Sequence, residues 1–68
     1  MIKIGNTVKC IEPTMSAYGC EGIIEDIVTQ GEITELDDAF LRVNITVGNE
    51  LNPANTQTTW YIQMVELV

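Results

Sequence analysis

The stretch Ala39-Phe40-Leu41-Arg42-Val43-Asn44-Ile45-Thr46-Val47 decides the fold class of this chain. Successive side chains of an extended strand point to opposite faces, so Leu41, Val43, Ile45 and Val47 share one side. Phe40, Arg42, Asn44 and Thr46 share the other. Toward the C-terminus, Gly48-Asn49 opens a polar loop over 48–58, with Asn52-Pro53 as a further turn signal. Eleven residues is long for a hairpin connection, and such loops in compact domains tend to be functional or mobile. Residues 59–64 predict the next strand, with Trp60, Ile62 and Met64 facing one way and Tyr61 the other. Val65 and Leu67-Val68 then make a short turn and a final strand that closes the sheet on itself.

Toward the N-terminus the same kind of reading continues. Residues 20–28 predict a strand whose apolar positions, Ile23, Ile24, Ile27 and Val28, do not alternate cleanly. Gly22 and the Glu25-Asp26 pair predict a bulge or strong bend there, as a small barrel requires to close. A single helical turn is the alternative. An acidic connection over 29–38 follows. The first strand is expected at about 7–12, after a break at Gly5-Asn6, and Pro13 ends it because it donates no ladder hydrogen bond. Residues 13–19 are then a loop that presents Met15 and Tyr18 to solvent. The expectation is a single all-β domain over 1–68, a small five-stranded barrel.

Composition agrees with strands. Among 68 residues there are nine Ile and six Val against four Leu and three Ala, and β-branched side chains pack well on a pleated surface. A chain this short lies near the lower limit at which a hydrophobic core alone holds a fold. No apolar run approaches the roughly 20 residues of a membrane helix, and no apolar leader follows the N-terminus. A cytoplasmic, membrane-free location is therefore expected. Ten acids against three bases give a net charge of −7, and the only cations are Lys3, Lys9 and Arg42. From Glu12 to Asp38 there are eight acids and no base. Nucleic-acid binders gain affinity by neutralising phosphates, so no nucleic-acid partner is expected; a basic protein surface suits this charge better.

The residues also resemble a group of known folds. Gly5, Val8 and Cys10 stand before Gly19, Gly22, Ile24 and Ile27, and an alternating strand, a Trp-bearing strand and a terminal Glu-Leu-Val follow. This order looks like the small SH3-like barrels, including KOW-type domains and subunit IV of photosystem I. The resemblance implies a five-stranded SH3-like barrel. KOW domains bind RNA or ribosomal surfaces through basic and aromatic loops, whereas the matching loops here carry Glu12 and Glu21. The photosystem subunit docks acidic carriers through basic residues that this chain lacks. A KOW-like nucleic-acid- or ribosome-associated module, or a structural subunit joined through an open sheet edge, is therefore the alternative to a protein-binding module.

Few residues point to chemistry. Cys10 and Cys20, with no histidine in the chain, cannot supply the four ligands of a zinc site. They are either a disulfide between neighbouring strands or, as the reading favours, two small buried thiols. Glu32, Glu35, Asp37 and Asp38 lack the spaced pattern of a calcium loop and are expected as a solvated acidic loop; no metal or cofactor is expected. Glu25 and Asp26 are adjacent and point apart on a regular strand; a bulge would change that, but 68 residues leave no second layer to form a cleft, which argues against acid–base catalysis. The sequon Asn44-Ile45-Thr46 lies within the clearest strand and is ascribed to chance. Trp60 and Phe40 fit either a core or a binding platform. Tyr18 and Tyr61, with Met15, are the candidates for an apolar contact centre rimmed by the acids Glu32, Glu35, Asp37 and Asp38. The expected function is a non-enzymatic, acidic protein-interaction module. Its size and charge suit a phage or mobile-element accessory protein that occupies the basic groove of a host protein.

Overall fold

The computed structural model describes residues 2–29 and 39–68. Five strands, β1 (Thr7–Cys10), β2 (Glu21–Thr29), β3 (Ala39–Val47), β4 (Gln57–Tyr61) and β5 (Val65–Leu67), form one antiparallel sheet in the order β4-β3-β2-β1-β5. A 3-10 helix over Ile62–Met64 joins β4 to β5. Among the described residues no helix is long and apolar enough to cross a membrane. The chain is all-β, as the alternation in β3 requires.

The expected barrel is realised only as far as the sheet. β4 and β5 occupy its two edges, and the sheet does not close through a β4–β5 ladder. The expected fourth strand over 59–64 is interrupted for a physical reason. The chain must pass from one edge to the other, and the 3-10 helix supplies that turn after Tyr61. Ile62 and Met64 still pack against the core from this helix. β1 ends at Cys10, short of the expected 7–12, where its partner β5 gives way to the 3-10 helix; the Ile11 amide still donates to the Met64 carbonyl at 2.8 Å, in the β5 register.

The core lies on the inner face of the sheet. Val8, Cys10, Ala17, Cys20, Ile24, Leu41, Val43, Ile45, Trp60 and Val65 form one buried cluster. Leu41 opposes Trp60 across β3–β4 and Ile27 across β2–β3, while Ile24 opposes Val43. Trp60 is thus core, where its large apolar surface contributes most. Val47, expected with Leu41, Val43 and Ile45, is 52% exposed because the register shift at Thr46 sets it opposite Glu21, on the outer face with Lys9.

The bend expected in β2 is present. Register shifts occur between Glu21 and Gly22 and again between Ile24 and Asp26, so one residue is skipped on β3 at Thr46 and one on β2 at Glu25. Gly22 is the residue that lets β2 and β3 approach. A Cβ there would collide with Val43 Cγ1 and stand 2.7 Å from the Asn44 carbonyl oxygen.

The two longer described connections are held in place. In residues 11–19, the Met15 amide donates to Glu12 O, Tyr18 to Met15 O and Cys20 to Ala17 O at 2.8–3.1 Å. In residues 48–56, Asn49 Oδ1 accepts from the amides of Leu51 and Asn52 at 3.0 and 2.8 Å, a turn built by an asparagine side chain. Asn49 Nδ2 then donates to Ser16 O at 2.8 Å and Asn52 Nδ2 to Ser16 Oγ at 3.3 Å, fastening one connection to the other.

Candidate functional site

Cross-strand register fixes which side chains share the outer face. Directly opposed residues of an antiparallel ladder project to the same side. Val28, Phe40 and Tyr61 therefore form one row across β2, β3 and β4; Asp26, Arg42 and Thr59 form the next; Ile23, Asn44 and Gln57 form a third. The first row is apolar and aromatic, and the rows beside it are polar or mixed.

Phe40 and Tyr61 touch at this end of the sheet. Their ring centroids are 4.7 Å apart and the planes are inclined by 44°, within the range of favourable tilted aromatic pairs. Phe40 is half-buried and Tyr61 is 41% exposed, so the pair keeps a face toward solvent. Beside it Val28, Phe40, Arg42 and Thr59 line a shallow, open depression. Its lining offers apolar surface, one guanidinium and one hydroxyl. Such a set can seat an apolar side chain and donate hydrogen bonds to an acceptor next to it.

The cations on the sheet are matched by acids. Arg42 stands opposite Asp26, and Lys9 stands between Glu21 on β2 and Glu66 on β5. The outer face therefore offers no run of positive charge among the described residues. On its solvent side Gln57 Nε2 donates to Glu25 Oε1 at 3.1 Å, a contact between the edge strand and the bulged residue.

The seven residues singled out from sequence fare differently. Tyr61 is exposed and points away from Trp60, as the alternation requires. Its ring partner, Phe40, is supplied by the β3–β4 register and was not among them. Tyr18 is 58% exposed, on the connection between β1 and β2. Met15 is on the same connection but is only partly open to solvent: it is half-buried and packs against the core. The turn that bonds Tyr18 N to Met15 O curls the chain so that one side chain goes inward and the other outward. Glu32, Glu35, Asp37 and Asp38 lie outside the described residues. Val28 and Arg42 also belong to the outer face; the alternation already put Arg42 there, but only the bulge in β2 puts Val28 beside Phe40.

The chain matches no family model, no curated protein and no solved structure.

Cys10 and Cys20 are both buried and both free thiols. Burial, and secondarily the neighbouring Cys10, push the Cys20 thiol above its ordinary value, which keeps it protonated at neutral pH.

Proposed function

We propose that this chain is a non-enzymatic, SH3-like interaction module that binds a protein with a basic surface. The single observation that carries the reading is the solvent-facing Phe40–Tyr61 pair, with Val28 beside it, on a chain of net charge −7. Aromatic anchors at the centre of a patch with charge at its periphery are the usual arrangement of an interface hot spot. The strand order, with a short 3-10 turn before the last strand, supports the SH3-like part of the reading. The depression lined by Val28, Phe40, Arg42 and Thr59 suits an apolar side chain of the partner. Tyr18, on a separate connection, adds a second contact. An accessory protein that occupies the basic groove of a host protein is the setting that charge and size suit.

Kinetics at two salt concentrations test this. Partners captured from native cells by the wild-type chain are compared with those captured by Tyr61→Ala, and the retained one is studied on a sensor surface. Association is expected to slow as salt rises, since exposed charges are screened beyond about 8 Å at physiological ionic strength. Tyr61→Ala is expected to speed dissociation by roughly thirtyfold, as loss of a 2 kcal/mol hot spot does. Salt-insensitive association together with an unchanged off-rate would sink the proposal. Oligonucleotide binding at physiological salt would favour a KOW-like module instead.

A further inference from the structure

We propose that Cys10 and Cys20 are a redox modification site, at which the two thiols join in an intramolecular disulfide across the base of the connection between β1 and β2. The register carries the argument. Thr7 opposes Ile23, Val8 opposes Gly22 and Lys9 opposes Glu21, and the same register continued one residue beyond the ladder brings Cys10 to Cys20. A glycine bulge interrupts the ladder at that step: Cys10 N donates to Cys20 O at 2.9 Å, but Cys10 O accepts from Gly19 N at 2.9 Å while Cys20 N turns to Ala17 O, so Gly19, at φ 87°, and Cys20 together face Cys10. Opposed residues of an antiparallel pair have Cα atoms about 4.5–5.5 Å apart, inside the roughly 4.4–6.8 Å that a disulfide spans.

The side chains agree with the backbone. Val8 and Cys10 are both buried on the inner face, and Cys20 belongs to the same core cluster. The thiols therefore project to one side of the sheet. Cys10 is also one of the causes that raise the Cys20 thiol, as expected of two groups in close reach. Both are shielded from solvent, so reaction requires the connection over 11–19 to open. Local opening of such turns needs far less free energy than global unfolding.

The chemistry balances with a small organic disulfide as oxidant. One cysteine thiolate attacks a sulfur of the oxidant and displaces a thiolate, leaving a mixed disulfide. The second cysteine attacks the protein sulfur of that mixed disulfide, forms the Sγ–Sγ bond and displaces the other thiolate. The chain loses two hydrogens in all, and the oxidant is reduced to two thiols. The product would pin the connection that carries Ser16 and Tyr18, independently of whether Tyr18 meets a partner.

An equilibrium experiment on the full chain decides the matter, because it does not depend on access to the folded core. The protein is refolded by dilution from denaturant into oxidised glutathione at about pH 8.5, where free thiols ionise. Remaining thiols are alkylated, and the chain is cleaved after Tyr18 without reduction. The peptides carrying Cys10 and Cys20 are expected to stay joined until a reductant is added. The oxidised protein is expected to melt roughly 10 °C higher than the reduced one, from the chain entropy removed by closing a loop of this length. Alkylated thiols, lasting glutathione adducts, or a bridged protein melting at the same or a lower temperature would each overturn the proposal.

Discussion

The two faces of β3 belong to the same nine residues but answer to different constraints. On the inner face Leu41, Val43 and Ile45 are fully enclosed and interlock with Trp60, Ile24 and Val8. On the outer face Phe40 and Asn44 are half-buried, and Arg42 and Thr46 are open to water. Enclosure makes every methylene on the inner side matter, because a vacated volume is not refilled. On the outer side water competes for each polar contact and occupies any space left. The difference teaches where stability resides and where sequence is free to serve binding.

The sharpest way to break this contrast is Ile45→Ala. Lost transfer energy and the cavity left behind should cost about 2–5 kcal/mol. That approaches the whole stability expected of a domain this small, roughly 5 kcal/mol. Denaturant unfolding measures it, and a variant that unfolds like the parent would put Ile45 outside the core. Gly22→Ala should come next, at about 1–3 kcal/mol, because its Cβ would meet both Val43 and the β3 backbone. The same denaturation series checks it; an unchanged midpoint would mean that β2 and β3 can separate at no cost. On the outer face Gln57→Ala removes the contact to Glu25, yet should shift stability by less than about 0.5 kcal/mol. A larger loss would erase the distinction between the faces.

The strands were legible from the alternation itself. In β3 the period of two runs unbroken, so its bounds and its inner set follow directly, apart from Val47, which the register shift at Thr46 sets opposite Glu21. The bend in β2 was also legible, since Gly22 and the Glu25-Asp26 pair break the alternation where the register shifts. The site was less so. Tyr61 could be assigned to the outer side of its strand, but its contact with Phe40 depends on the β3–β4 register, which two separated segments do not encode locally. Met15 looked like a loop residue open to water. Its partial burial comes from turn hydrogen bonds that no hydrophobic period announces. The 3-10 helix was hidden because Trp60, Ile62 and Met64 also satisfy a strand's alternation, and only the need to cross between edges distinguishes the two.

The pairing of β1 with β5 has a consequence for how the molecule reaches its fold. Val8 lies beside Leu67 and Cys10 beside Val65, so segments nearly sixty residues apart in sequence are neighbours in the sheet. The loop-closure entropy of that contact must be met before the contact returns any stability. Topologies dominated by such distant pairings fold in roughly milliseconds to seconds, far more slowly than helical bundles of similar size. During synthesis β1 would be left with β2 as its only neighbour until residue 67 emerged. Its other backbone edge would meanwhile be open to pairing with a foreign strand.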